Sequence, residues 1–193
     1  MSSEEFQIVA FSTNETSPSP NDILKIFLDQ HSPIIITQSL HVISCEFSLP
    51  NFSQPKKIRM ISLPDINKAY EGISDVSFYF LFVYLENINV QKNFELVCSY
   101  MKKYCDLKKR IFIFGIIKNE FSLKNIFKEN IKKICDEMLF NYKYYEISMT
   151  DRKNIGEIFL NIFLSFSPEG ENEINISKNE VGRQAHSCVF FLN

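Results

Sequence analysis

The side chains best suited to nucleophilic or metal chemistry in this 193-residue chain are five cysteines and three histidines. They are Cys45, Cys98, Cys105, Cys135 and Cys188, with His31, His41 and His186. No two cysteines are spaced as Cys-x-x-Cys, and no two histidines have the helical spacing of a zinc-binding pair. His31 and His41 flank one connection, within reach of Cys45, but that set falls short of the closed ligand shell a structural zinc requires. A Cys–His nucleophile needs a base held close to the thiol, and no spacing here places one. There is no Gly-x-Ser-x-Gly elbow. Cys98 and Cys105, seven apart, fall on one helix face, a pattern that suits burial. The expectation is a chain with no catalytic residue, no metal site and no cofactor.

Composition narrows the classes further. Apolar residues make up 45%, charged residues 23%, and the formal net charge is -2, as in an ordinary globular domain. Nineteen Phe stand against five Gly and no Trp. So few glycines fit poorly with a fold that wraps backbone around phosphates. The charge balance lacks the basic excess of nucleic-acid binding, so no nucleic-acid partner is expected. Asn14, Asn51 and Asn175 begin glycosylation sequons, a number close to chance in an Asn-rich chain. Met1–Glu5 is acidic and lacks the basic start of a secretory leader. The longest apolar run, Phe78–Leu85, is far below the roughly 20 residues of a membrane span. Cys188 lies too far from the end for a prenylation box. An odd cysteine count agrees with a reducing compartment. The expected location is therefore intracellular and cytoplasmic.

These residues must be positioned by alternating strands and helices. Phe6–Phe11 reads as a buried strand. Ser19, Pro20 and Asp22 then form a helix start, with Ser at the cap, Pro at the first position and an acid at the third. The helix runs to about Gln30, with Ile23, Leu24, Phe27 and Leu28 inward. Val42–Leu49 reads as a strand, with a candidate strand before it at Ile34–Ile36, and Lys57–Ile61 follows. Val76–Leu85 is the strongest strand and suits a central place in a sheet. A helix spans about Asn89–Cys105, with Phe94, Val97, Cys98, Met101 and Cys105 on one stripe. Arg110–Gly115 is another buried strand. The helix from near Ser122 carries a stripe of Leu123, Ile126, Phe127, Ile131, Ile134, Cys135, Met138 and Leu139. Tyr144–Ile147 is a short strand, and Tyr142, Tyr144 and Tyr145 suit packing at a sheet edge. Asn154 with Glu157 reads as a capping box before the last helix, whose inward residues are Ile155, Ile158, Phe159, Ile162 and Phe163. This order predicts an α/β three-layer sandwich with a mostly parallel central sheet and one antiparallel edge. One domain covers 5–167, and 168–193 is a polar tail, expected to be flexible, with the apolar end Val189–Leu192.

The element order, with Arg110–Gly115 and the stretch Tyr144–Ile162, resembles the Ras/Rab/Arf small-GTPase family and its P-loop NTPase fold. That resemblance implies a phosphate loop after the first strand, where backbone N–H groups, a Lys and a hydroxyl hold phosphate and Mg²⁺. From Ser12 to Leu24 there is no Gly and no Lys. Pro18 and Pro20 remove donors, and Glu15 and Asp22 add negative charge. The metal-holding Asp after the third family strand is matched by Ser62. Asp65 takes the place of the Gly that senses the terminal phosphate, and Ile66 that of the water-positioning Gln. The guanine-reading Asn, Lys and Asp are matched by Ile116, Ile117 and Asn119. Ser148 keeps the first residue of the last loop. The degenerate positions Ser12, Ser62, Asp65, Ile116, Asn119 and Ser148 thus imply a pseudo-GTPase, to which GTP and Mg²⁺ are not expected to bind.

A pseudo-GTPase of this kind implies a non-catalytic subunit that meets protein partners in a hetero-oligomeric assembly of the trafficking, adaptor or kinetochore type, with a nuclear location if it is of the kinetochore type. Its expected docking faces are the loops 12–20 and 62–75 and the apolar tail. The alternative is a divergent small GTPase that still binds guanine nucleotide as a switch. Lys102, Lys103, Lys108, Lys109 and Arg110 surround one helix end. They read first as a solvated face at a helix C-terminus, and second as a patch for an acidic partner or membrane headgroups.

Overall fold

The computed structural model describes residues 5–13, 18–31, 34–39, 41–48, 55–63, 75–117 and 124–166. Among them, β1 (Glu5–Ser12), β4 (Lys56–Ser62), β5 (Phe78–Tyr84), β6 (Ile111–Ile117) and β7 (Tyr142–Ser148) run parallel. β2 (Ile34–Gln38) and β3 (Val42–Phe47) complete a seven-stranded sheet of order β2-β3-β4-β1-β5-β6-β7. β3 runs against both of its neighbours, which makes the antiparallel edge. The candidate strand at Ile34 is real, and its register slips between Ile35 and Thr37.

The helices are α1 (Pro20–His31), α2 (Val90–Tyr104), α3 (Lys124–Glu137) and α4 (Arg152–Leu164). Residues of α1 and α4 pack on one sheet face, and residues of α2 and α3 on the other. β5 and β6 are buried on both faces, so their near-continuous apolar sequences leave no alternation to read. Phenylalanine fills the α1/α4 side. Phe80 meets Phe114 edge-on at 5.1 Å, and Phe114 stacks on Phe159 at 5.3 Å. Such contacts add roughly 0.5–1.5 kcal/mol each beyond area burial.

The inward stripes of α1 and α4 are as the periodicity predicts. Two local readings, the Asn154 cap and Leu139, are corrected. α4 starts earlier than an Asn154 cap would place it: Asp151 is its N-cap and accepts from the Asn154 N–H at 3.1 Å. Glu157 instead faces Lys153 at 3.8 Å, one turn away on the exposed side. Cys105 caps the C-terminal end of α2 and packs, half-buried, against the same core cluster as Cys98. Leu139 does not continue the α3 stripe, because α3 stops at Glu137 and the leucine is 84% exposed.

Gly115 lies where a ring from the next strand crosses β6. A Cβ there would meet the Tyr144 hydroxyl oxygen, with Leu85 Cδ1 at 3.1 Å. The edge-strand tyrosines therefore pack as expected: Tyr144 is buried, and Tyr145 stacks on Phe114 at 5.9 Å. The proposed tail 168–193 lies outside the described residues.

Candidate functional site

Ligands of open α/β sheets bind beyond the C-terminal ends of the strands, where the chain's direction of growth reverses. Here that point is beside β1, which has β4 on one side and β5 on the other. The three buried polar or charged residues among those described, Thr13, Asn21 and Ser62, all lie there. A buried polar group must be hydrogen-bonded or it costs about 1–3 kcal/mol, and each of these has a partner within the chain.

Ser62 ends β4 and donates from Oγ to Asn21 Oδ1 at 2.7 Å. Asn21, in the first turn of α1, donates from Nδ2 to the Ser39 carbonyl at 3.4 Å. The Ser62 N–H donates to the His41 carbonyl at 2.7 Å, and the Leu63 N–H to the Ala10 carbonyl at 2.9 Å. On the other side, the Thr13 N–H donates to the Phe82 carbonyl at 3.0 Å. Thr13 Oγ1 accepts from the Tyr84 N–H at 3.3 Å, and its carbonyl accepts from Asn93 Nδ2 at 3.0 Å. The Tyr84 hydroxyl donates to the Pro18 carbonyl. Burial pushes the Tyr84 phenol up to about 12, with a hydrogen bond to Ser12 pulling the other way and Asp22 adding to the rise.

A helix N-terminus attracts anions through free N–H groups. At α1 Pro20 brings no N–H, and the Ser19 and Asp22 N–H groups are engaged. The Asp22 N–H donates to Ser19 Oγ at 3.2 Å, while the Ser19 N–H and Oγ both donate to Asp22 Oδ2 at 2.8 Å. This is the capping box that the sequence predicts, with Asp in the place of Glu. An incoming phosphate would meet a carboxylate.

Ser12 ends β1 and is half-buried beside Phe82 of β5. Ile116 and Ile117 are buried inside β6, so the positions matched to base reading are core. Ser148 ends β7 next to Ile117, and its Oγ lies 2.8 Å from Thr150 Oγ1. Asp65, Ile66 and Asn119 lie outside the described residues. Sequence reasoning missed Thr13, Asn21, Tyr84 and Asn93. Tyr84 alone carried a signal, as a phenol closing an apolar strand whose hydroxyl must find a partner.

Three of the described cysteines have raised thiol pKa values. Burial raises the Cys45 thiol to about 11 and the Cys105 thiol to about 12, the latter eased by a hydrogen bond with Tyr79. A hydrogen bond with Cys98, and then burial, raise Cys135 as well. These three groups stay protonated at neutral pH, and a thiol is a poor nucleophile and metal ligand. His31 Nδ1 lies 2.9 Å from the Phe27 carbonyl, one turn back on the same helix. Among the described residues no three His, Cys, Asp or Glu side chains gather as a metal site, and no helix is long and apolar enough to cross a membrane.

No family model matches the sequence, and no curated protein matches it.

Proposed function

We propose that this chain is a pseudo-GTPase: a small-GTPase-like domain that serves as a non-catalytic, protein-binding subunit of a multiprotein assembly. The observation that carries this reading is the state of the sheet's C-terminal end. Among the described residues flanking the place where phosphates would be cradled, the Ser19–Asp22 box, the Ser62–Asn21 pair and the Tyr84–Pro18 contact engage polar groups within the chain. A parallel sheet with a central first strand and an antiparallel edge after the first helix supports the resemblance. Among the described residues at this end, Thr13, Asn21 and Ser62 make their hydrogen bonds within the chain, which supports a surface role. Such a surface suits recognition by a partner of the trafficking, adaptor or kinetochore type, and a fold can be kept for its surfaces after its chemistry is lost.

The test is nucleotide content. The gently purified protein is denatured, and the supernatant is resolved by ion exchange, beside calorimetric titrations of GTP and ATP with Mg²⁺. The expected result is an empty trace and no titration heat. Stoichiometric guanine nucleotide would overturn the proposal and favour a divergent switch GTPase.

A further inference from the structure

The N-terminal edge of the sheet, opposite the polar cluster, has a different chemistry. Lys102 and Lys103 fill the last turn of α2. Lys108, Lys109 and Arg110 follow in the turn that enters β6. The carboxylates on this edge include Glu5, Asp75, Asp106, Asp136 and Glu137. Asp106 is partly committed, since its Oδ1 accepts from the Lys108 N–H at 3.0 Å and shapes the turn. Between the cations Tyr104 is 55% exposed, with Lys103 Nζ 4.9 Å above its ring.

Leu139 is the apolar tip of this edge, at 84% exposure. Its φ is 59°, in the left-handed region. The Leu139 N–H donates to the Asp136 carbonyl and the Phe140 N–H to the Cys135 carbonyl, both at 3.1 Å. That pair of bonds is a Schellman ending, whose left-handed position is ordinarily Gly or Asn. Leucine there accepts both backbone strain and exposure to water, and a strained residue held at a surface invites a functional reading. The Ile111 N–H donates to the Asn141 carbonyl at 2.8 Å, which sets the Leu139 turn beside Arg110.

We propose that this edge docks on an anionic membrane surface. Leu139 and Tyr104 enter the headgroup layer, while Lys102, Lys103, Lys108, Lys109 and Arg110 meet the lipid phosphates and carboxylates. The cations favour lipid over an acidic protein, because four of the five are lysine. Lysine is depleted from protein–protein interfaces, whereas lysine and arginine serve alike at anionic headgroups. The inference goes beyond the proposed function and does not depend on it.

Co-sedimentation of the full chain tests it, using vesicles of phosphatidylcholine alone and vesicles with about one-third phosphatidylserine. The chain should bind the anionic vesicles at least about tenfold more tightly and be released by salt. A variant with Lys103→Glu, Lys108→Glu and Lys109→Glu should lose at least about tenfold. Leu139→Asn should lose about three- to tenfold. It should also melt no lower than wild type, because Asn tolerates the left-handed backbone, so lost binding cannot be blamed on misfolding. Absent binding, equal binding to both vesicle types, or wild-type binding by either variant would overturn the proposal. If the lysine variant instead sheds a co-purifying protein while no vesicle binds, the edge belongs to an acidic protein and the membrane proposal fails.

Discussion

At the C-terminal ends of β1, β4 and β5, polar side chains are buried and paired within the chain. At the N-terminal ends of β5 and β6, lysines, a tyrosine and a strained leucine face solvent. The sheet is continuous between these edges, so the fold does not dictate the contrast. Local sequence does. Pro18, Ser19, Asn21 and Asp22 turn the first edge's hydrogen-bonding capacity inward. Leu139 and the run from Lys102 to Arg110 turn the second edge outward. Among the described residues, the end at which an α/β sheet ordinarily binds ligands is the one whose buried polar side chains are paired within the chain.

The largest expected effect breaks the closed edge with the very group that nucleotide chemistry would want. Ser62→Asp puts a carboxylate into a buried site facing Asn21 Oδ1. Removing charge from water without a partner should destabilise the fold by about 3 kcal/mol or more. Urea unfolding with and without Mg²⁺ measures it. Rescue by Mg²⁺ would mean that this edge still behaves as a metal site.

Asn21→Ala is the next largest. It strips the Ser62 hydroxyl of its acceptor and the Ser39 carbonyl of a donor, with an expected loss of about 1–3 kcal/mol in denaturant unfolding. Tyr84→Phe removes the phenol's bonds to the Pro18 carbonyl and Ser12 and should cost about 1 kcal/mol near neutral pH. It also has a pH signature. The folded Tyr84 pKa is raised to about 12 from its ordinary 10.0. The stability tied to the neutral phenol is therefore fully present below pH 10 and is lost as pH rises from 10 through 12. The wild-type minus Tyr84→Phe difference in unfolding free energy should shrink across that window, whereas a constant difference would contradict the assignment.

The smallest effect has the opposite sign and belongs to the open edge. Leu139→Gly removes the left-handed strain and should leave the protein unchanged or stabilise it by up to about 1 kcal/mol. Thermal melting checks this. A clear loss of stability would show that Leu139 supports the fold rather than serving the surface.

The sequence made the architecture largely readable. Buried strands such as Phe78–Tyr84 announce themselves by composition, and helices α1, α2 and α4 by the period of their inward residues. The Ser19–Asp22 cap was readable too, because its chemistry is local. The closed edge was half legible. Missing glycine and lysine argued against a phosphate loop, but the groups that close it come from distant segments. Ser62 meets Asn21 across 41 residues, and Tyr84 meets Pro18 across 66. No local pattern encodes such pairs. Leu139 failed in the other direction. Its apolar type and helical spacing assign it to the buried stripe, and only the backbone turn after Glu137 rotates it outward. Asn154 failed because Asp151, an equally good cap, stood one turn ahead of it.

Amide hydrogen exchange at the closed edge tests the central claim most directly. The amides of Thr13, Ser62, Leu63 and Tyr84 are followed in the ligand-free protein and again with excess GTP and Mg²⁺. Internal closure predicts slow exchange at all four without ligand and no change when nucleotide is added. Fast exchange in the free protein that slows on adding GTP and Mg²⁺ would contradict it, because those donors would then be waiting for a phosphate.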